Sequence, residues 1–349
     1  MGEILGLGIT HFPGMAPDPP GPRSLKRTLS DPGLPERYRT PQGWPEQMRA
    51  EWSTDEGAAH AIQHRDTVVA GLRRARQTLD AFKPDLMVVW GDDQYENFRE
   101  DVVPAFTVLA YDEVEVHPWA HQIGARNYWH EPEDVAFRLK GHKAAAKRLA
   151  TGLLGEDFDV AYAYRPLHQD LGHAFINSVL YLDWDRRGFD YPMVAMPINC
   201  YGRGVIAMRG YMASLEHPLA EADMDPPSPS PARCYDLGAA CARILAASPW
   251  RVALVASSSW SHAFLTAKHY YLYPDTDADR QLYAALESAD YAAWRRRSLS
   301  QVEDSGQQEL LNWFCLMGAM AELNRKPTYS EFIPSHIMNS NKVIATFEP

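Results

Sequence analysis

The chain has 349 residues, 46% of them hydrophobic and 23% charged, and its formal net charge is −11. This balance is typical of a soluble globular enzyme, and no basic stripe, zinc-finger spacing or RNA-binding signature indicates nucleic acid as a partner. No stretch approaches the ~20 apolar residues that a membrane helix needs, and the first residues lack the pattern of a signal peptide. We therefore predict a cytoplasmic protein that does not enter a membrane.

Residues 3–10 are apolar and predict a first strand, which stops at Thr10-His11-Phe12-Pro13-Gly14. In open α/β sheets, ligands bind at the carboxyl ends of the strands. His11 is therefore either a ligand at this edge or a turn histidine that is hydrogen-bonded to the backbone. The following residues 13–50 are rich in proline and predict a long insertion that packs as a lid or at a subunit interface.

From about Glu46 to Phe82 the pattern becomes helical. His60 and His64 are four residues apart and share one helix face, a spacing that suits a metal pair. A polar face bonded to solvent or to neighbouring groups is the favoured interpretation of the same spacing. Residues 117–130 contain further histidines and two tryptophans that indicate a pocket wall or an interface: His117, Trp119, His121, Trp129 and His130.

The chain is organised around a short apolar run, Leu86–Trp90, which is bounded by Pro84 and Gly91 and predicts a central strand of an α/β sheet. A cluster of polar residues follows at once: Asp92, Asp93, Gln94, Tyr95, Glu96 and Asn97. A capped turn explains one or two of these residues. The whole cluster also fits a ligand-binding edge, so that both interpretations stay open at this point.

Later apolar runs predict strands at 106–111, 159–164, 192–198 and 251–256, with helices at 133–154 and 235–247 and a helical last part. Four of the predicted strands end in a histidine or a charged cluster, and these endings meet at one edge if the sheet is single. The predicted fold class is therefore α/β. Residues 1–349 are predicted to form a single domain with a central mixed sheet flanked by helices, and an active site at the carboxyl ends of the strands.

Glu309 opens an almost wholly apolar helix, where it is either a partner of the helix dipole or an inward-facing ligand. Several histidines and one glutamate at separate strand and helix ends are what a mononuclear metal site needs. Two imidazoles and one carboxylate on one face of Fe(II) leave positions open for oxygen and substrate. A serine hydrolase built on Ser261 and His262 is disfavoured, because no Gly-x-Ser-x-Gly turn is present.

Four short motifs, in order along most of the chain, resemble those of the class III extradiol ring-cleavage dioxygenases, the group that includes the protocatechuate 4,5-dioxygenase catalytic subunit. They are Thr10-His11-Phe12-Pro13, Leu171-Gly172-His173-Ala174-Phe175, Ser258-Ser259-Trp260-Ser261-His262 and Glu309-Leu310-Leu311-Asn312-Trp313. The resemblance implies that His11 and Glu309 are iron ligands. It also implies that His173 is the catalytic acid and base and that His262 helps to bind substrate and oxygen.

The chain departs from this pattern at one ligand. The family's second histidine ligand follows the second strand, and the same turn here reads Asp92-Asp93-Gln94, which puts Gln94 in the ligand's place. Either the carbonyl oxygen of Gln94 binds the metal, or His60, His64 or Glu96 supplies the missing ligand, or the metal is lost. We assign Asp93, Glu96 and Trp260 to substrate binding.

Together, the residues and the resemblance predict an Fe(II)-dependent enzyme that cleaves a catechol-type aromatic ring and inserts both atoms of O₂. The expected partners are that small molecule, O₂ and further copies of the chain in a homo-oligomer. Two alternatives stay open: a metal-poor binding or scaffold protein on the same fold, and a zinc-dependent hydrolase that uses the same site.

Overall fold

The structure is a computed structural model that describes residues 2–120, 126–211 and 214–349. Within these ranges the chain forms ten strands: β1 (Ile4–Ile9), β2 (Leu86–Asp92), β3 (Thr107–Leu109), β4 (Glu113–Val116), β5 (Phe137–Lys140), β6 (Ala161–Ala163), β7 (Met193–Ile198), β8 (Val252–Ser257), β9 (Tyr329–Ile333) and β10 (Lys342–Phe347).

The same ranges contain eleven α-helices: α1 (Arg23–Leu29), α2 (Glu46–Trp52), α3 (Ala58–Phe82), α4 (Lys143–Gly155), α5 (His173–Leu182), α6 (Gly202–Ala207), α7 (Pro231–Ala246), α8 (Thr276–Glu287), α9 (Tyr291–Arg296), α10 (Leu299–Asp304) and α11 (Leu311–Glu322). None of these described helices is both long and apolar enough to cross a membrane.

Eight strands form one mixed sheet in the order β6-β3-β7-β2-β8-β1-β10-β9, and β4 and β5 form a separate hairpin. Strands β7, β2, β8 and β1 are parallel to one another. Strand β10 is antiparallel to β1, and β9 is antiparallel to β10. Helices cover both faces of the sheet. The predicted α/β class, with a central mixed sheet flanked by helices, is confirmed.

The central strands are buried on both faces, because alternate side chains of one strand enter two different cores. Val88 and Trp90 of β2 pack with side chains of α4, α7 and α11 on one face of the sheet. Met87 and Val89 pack with side chains of α3 and α5 on the other face. Every residue of β1, β2, β7 and β8 is buried. These apolar runs therefore fix the centre of the sheet.

The parallel neighbours β2, β8 and β1 bring their carboxyl ends to one edge of the sheet. In the register of the sheet, Ile9 lies beside Ser257, and Gly8 and Trp90 both lie beside Ala256. The residues that follow these strands therefore meet, as expected of neighbouring parallel strands.

Two sequence-based expectations differ from the structure. The predicted helix at 133–154 is wrong in its first part, where β5 pairs with β4 and only residues from Lys143 onward are helical. The last part is not wholly helical, since β9 and β10 follow α11 and join the sheet. Trp119 and Trp129 stack on each other, and Trp129 also packs on Tyr181 beneath the sheet. His121 lies outside the described residues.

Candidate metal and substrate site

His11 follows β1 and presents one ring nitrogen to the carboxyl edge of the sheet. Its Nδ1 donates a hydrogen bond to the backbone oxygen of Ser257 at 3.1 Å, since a carbonyl can only accept. This contact fixes the tautomer and leaves Nε2 as the free nitrogen, 3.3 Å from Oδ1 of Asp92. Burial lowers the pKa of His11 to about 4. The imidazole is therefore neutral near pH 7, which is the form that binds a metal.

Asp92 is the last residue of β2, and its carboxylate is the most unusual group of the site. The residue is fully buried, and neither carboxylate oxygen has a hydrogen-bond partner in the described part of the chain. Burial, together with the charge of Glu309, raises the pKa of Asp92 well above its ordinary value. A buried carboxylate without partners is costly unless a proton or a cation neutralises it.

Ligand atoms of His11, Asp92 and His173 all lie within 4.8 Å of one another. This spacing is compatible with a single metal ion between them. The neighbouring carboxylate of Glu309 approaches the same nitrogen of His11, with its Oε2 at 3.7 Å from Nε2. We call this group, His11, Asp92, His173 and Glu309, the metal cluster.

Glu309 points inward from a single 3₁₀ turn, Gln308–Leu310, that precedes α11. Its Oε1 lies 3.0 Å from Nε2 of His262 and accepts a hydrogen bond from the hydroxyl of Tyr201. Burial alone would raise the pKa of Glu309, but the charge and hydrogen bond of His262, with the charge of His11, lower it to about 2. Glu309 is therefore an ionised carboxylate with one oxygen facing His11.

His173 is the first residue of α5 and is held by Glu96. Its Nδ1 lies 2.9 Å from Oε2 of Glu96, and its backbone nitrogen donates to the same carboxylate at 3.1 Å. Burial lowers the pKa of His173, but the negative charge of Glu96 outweighs it and raises the pKa to about 10.

The close approach of α5 to β2 depends on Gly91, since an added Cβ there would lie 3.0 Å from the Cβ of Ala174.

A cavity of about 530 Å³ is lined in part by His173 and Glu309 of the metal cluster. His173, His262, Glu309 and Tyr201 form its polar side, and Phe12, Phe264, Ile337 and Met338 supply apolar walls. Helix α1, within the proline-rich segment 13–50, adds Arg23, Ser24 and Arg27. The predicted insertion therefore shapes the cavity, and its residues 23–29 are helical.

Four of the residues predicted from the sequence come together in the structure: His11, His173, His262 and Glu309. Glu96 reaches them through His173. Gln94 lines the cavity, but its Nε2 donates a 2.6 Å hydrogen bond to the backbone oxygen of Gly210. That contact engages the amide nitrogen of Gln94 with the loop after α6. The carboxylate of Asp92 lies 3.3 Å from Nε2 of His11.

None of the three residues assigned to substrate binding, Asp93, Glu96 and Trp260, is among the described residues that line the cavity. The carboxylate of Asp93 accepts hydrogen bonds from the backbone nitrogens of Glu96, Asn97 and Phe98, and therefore caps the turn after β2. Burial and the charge of Glu96 raise the pKa of Asp93 to about 6. Trp260 is fully buried in the apolar core, where its ring packs edge-on against Trp294 and Trp313.

His60 and His64 belong to a different cluster, built around the buried carboxylate of Glu51. Nε2 of His60 lies 2.9 Å from Oγ of Ser335 and 3.4 Å from Oε2 of Glu51. His64 is buried, and its ring stacks on that of His60. His60 thus contacts the segment that follows β9, whose residues Ile337 and Met338 form part of the cavity wall.

We expect Glu51→Ala to destabilise the protein by about 3 kcal/mol, because it leaves several buried donors unpaired. The Glu51 carboxylate accepts hydrogen bonds from Oγ of Ser335 at 3.0 Å and from the backbone nitrogens of His336 and Ile337 at 2.7 and 3.1 Å. Denaturant unfolding measures the loss. Glu56→Ala is the matched control, since Glu56 forms only an exposed ion pair with Lys26 and should change stability by less than about 1 kcal/mol.

The contribution of Glu51 to the stability of the protein should depend on pH. Burial opposes ionisation, but the hydrogen bonds from His336 and Gln47 lower the pKa of Glu51 below its ordinary value of 4.5. A lowered pKa in the folded state stabilises the protein above pH 4.5, and this contribution is lost as the pH falls through the folded-state pKa. The difference in stability between the native chain and Glu51→Ala should therefore shrink in acid. Equal stability of the two proteins at neutral pH would contradict the assignment.

The sequence interpretation placed Asp92 in the polar cluster after Trp90 without assigning it a role, and it did not single out Tyr201. One feature of the sequence points to Asp92: it is a carboxylate separated by a single residue, Gly91, from the apolar run Leu86–Trp90. Tyr201 follows β7 and donates a hydrogen bond to Glu309, a contact that nothing in the sequence predicts.

Comparison with known proteins finds curated relatives that are named as dioxygenases. The chain is 31% identical over 190 residues to the 2,3-dihydroxyphenylpropionate/2,3-dihydroxicinnamic acid 1,2-dioxygenase of Burkholderia vietnamiensis, a match that covers 54% of this chain and 47% of that protein. The enzyme of the same name from Paraburkholderia phymatum is 32% identical over 190 residues, with the same coverage of 54% and 47%. These relatives confirm the predicted resemblance.

A third dioxygenase of this name, from Pseudomonas putida, is 29% identical over 136 residues, which are 39% of this chain and 37% of that protein. The chain thus spans about half the length, or less, of the curated dioxygenases that it matches. No family model matches the chain.

Proposed function

We propose that the protein is a metal-dependent, extradiol-type dioxygenase that cleaves a catecholic aromatic ring with insertion of both atoms of O₂, and that its metal is Fe(II). The observation that carries this proposal is the buried carboxylate of Asp92, which lies 3.3 Å from Nε2 of His11 and has no hydrogen-bond partner among the described residues. His173 and Glu309 of the same cluster line a cavity large enough for an aromatic ring. The names of the relatives supply the reaction class.

The donor groups fit a divalent metal ion. His11 offers a neutral imidazole nitrogen, and Asp92 and Glu309 offer buried carboxylate oxygens. Nitrogen and oxygen donors of this kind suit Fe(II) and Mn(II) better than they suit metals that prefer thiolate ligands. His11, Asp92 and Glu309 would hold the ion, and Gln94 is the alternative to Asp92. Bound Fe(II) would supply open coordination positions for the two substrate oxygens and for O₂.

The other polar groups of the cavity handle protons and orientation. Glu96 holds Nδ1 of His173, so that the other ring nitrogen of His173 is left to exchange a proton with a substrate hydroxyl. His262 uses Nε2 toward Glu309, and its Nδ1 has no hydrogen-bond partner in the described part of the chain. We assign this buried acceptor to a hydrogen bond from bound substrate. Phe12, Phe264, Ile337 and Met338 exclude water around the ring.

Metal removal tests the proposal directly. We expect protein purified without oxygen and treated with a chelator to take up no O₂ with any catechol, and Fe(II) to restore uptake. The panel contains catechol, methoxylated catechols, gallate and 2,3-dihydroxyphenylpropionate. An oxygen electrode and absorbance spectra should show one O₂ per substrate and a coloured ring-opened product. Uptake that persists without metal, or metal-loaded protein that is inert toward the whole panel, would count against a dioxygenase.

A further inference from the structure

We infer that Arg23 binds an anionic substituent, a carboxylate carried by the aromatic substrate away from its two hydroxyls. This inference rests on the proposed function and names the class of its substrate: catechols with an acidic side chain. Arg23 belongs to α1, in the proline-rich segment, and lines the same cavity as His173, His262 and Glu309.

The cavity is lined by charged groups of both signs. They include the carboxylate of Glu309, which belongs to the metal cluster, and the guanidinium groups of Arg23 and Arg27 on α1. Among the lining residues described, these two are the only side chains with a permanent positive charge. They stand out in a chain with a formal net charge of −11. A substrate with its diol at the metal and an anion at the arginines matches this distribution.

The walls that complete the cavity suit the aromatic part of such a molecule. Phe12, Phe264, Ile337 and Met338 are apolar. The volume of about 530 Å³ also exceeds what an unsubstituted ring requires, since a cavity of roughly 150 Å³ accommodates benzene. The remaining space is sufficient for a side chain that ends in a charged group.

Arg23 is favoured over its neighbours because its donors are unused. In the ranges that the structure describes, its guanidinium makes no ion pair and no hydrogen bond, whereas Lys26 on the same helix pairs with Glu56 at 2.7 Å. Arg27 also lines the cavity but already has a partner. A guanidinium presents a planar fork of donors that matches the two oxygens of a carboxylate.

The backbone that carries Arg23 is fixed in place. The side chains of Leu25 and Thr28 on α1 are buried, and Oγ1 of Thr28 donates a hydrogen bond to the backbone oxygen of Tyr271 at 3.3 Å. Arg23 therefore projects from an anchored helix, which lowers the entropic cost of placing its charge over the cavity.

The test compares three substrates of similar shape with the Fe(II)-loaded full chain: 2,3-dihydroxyphenylpropionate, its propionamide and 3-propylcatechol. We expect Arg23→Gln to raise KM for the carboxylate roughly tenfold, since a charge-assisted contact is lost, and to change kcat by less than about twofold. KM for the amide and for propylcatechol should stay within about twofold. Arg23→Lys should recover part of the affinity, because it restores the charge without the fork.

Lys26→Gln is the matched control, because it removes one positive charge from the same helix outside the cavity. It should leave all three KM values unchanged. If Lys26→Gln and Arg23→Gln have the same effect, the preference is a long-range charge effect and the assignment of Arg23 is wrong. An Arg23→Gln variant that treats the carboxylate like the native protein also overturns the inference, even though the protein remains a dioxygenase.

Failure of the proposed function gives a different result. If the native protein takes up no O₂ with any of the three substrates, calorimetry without oxygen still compares binding of the carboxylate and the amide. Preferential binding of the carboxylate that is lost in Arg23→Gln supports the anion site without the reaction. Equal binding of the two compounds by the native protein overturns the anion site.

Discussion

Replacement of Asp92 by asparagine is expected to abolish metal binding and to lower O₂ uptake at least ~100-fold, since a metal ligand is lost. The side chain keeps its size but loses its charge, and no donor in the described part of the chain compensates either oxygen. Elemental analysis of protein reconstituted with Fe(II) should fall from one metal ion per chain to almost none. This readout does not depend on the choice of substrate.

Gln94→Ala is the decisive companion to Asp92→Asn. The amide of Gln94 binds the backbone oxygen of Gly210, so its removal should disturb that loop and leave the metal content unchanged. If Gln94→Ala loses the metal while Asp92→Asn retains it, the ligand predicted from the sequence is the true one. Asp92→Asn should also unfold without metal at the same temperature as the native apoprotein or higher, because the carboxyl that it replaces has no hydrogen-bond partner in the described part of the chain. If the Asp92→Asn variant is folded, its loss of metal is due to the missing ligand and not to unfolding.

His173→Ala is the second substitution with a large expected effect. We expect O₂ uptake to fall by about 10² to 10⁴, the usual contribution of a positioned acid or base, while the metal content stays at one per chain. Glu96→Gln, which weakens the hold on Nδ1 of His173 and keeps the histidine, should cause a smaller loss. The pH profile of kcat should change shape in both variants.

Loss of the metal in His173→Ala would give the residue a different role. A ring nitrogen of His173 lies within 4.8 Å of ligand atoms of both His11 and Asp92, so the geometry permits direct ligation. In that case the ion pair with Glu96 would orient a ligand, as carboxylates commonly do for metal-bound histidines. Metal content therefore separates the two roles of His173, whereas activity alone does not.

The centre of the sheet could be predicted from the sequence because its strands are apolar on both faces. Buried parallel strands give continuous apolar runs, as in Leu86–Trp90, and ligand sites follow their carboxyl ends. This logic located His11 and the turn after β2. Glu309 was predicted from its position before an apolar helix and from the resemblance. His11 and Glu309 could be predicted because the residues next to them in the chain indicate their positions in the fold.

The identity of the residue beside His11 depended on where β2 ends, which is not a local property. The apolar run stops at Trp90, but the strand continues to Asp92, because Gly91 and Asp92 pair with Pro197 and Ile198 of β7. This extension places the carboxylate of Asp92 at the edge and leaves Gln94 in the following turn. Trp260 shows the same limit, since only the packing of α9 and α11 turns its ring into the core.

The order of strands in the sheet also determines when the metal cluster can form during folding. The hydrogen bond between His11 and Ser257 joins residues 246 positions apart, and β1 pairs on its other side with β10, where Gly6 lies opposite Phe347. Contacts over such separations form slowly, because a long loop must close before they stabilise anything. We therefore expect a nascent chain to lack a metal-binding pocket until residues near 347 have been made. Metal loading would then follow completion of the fold, when His11 is already buried.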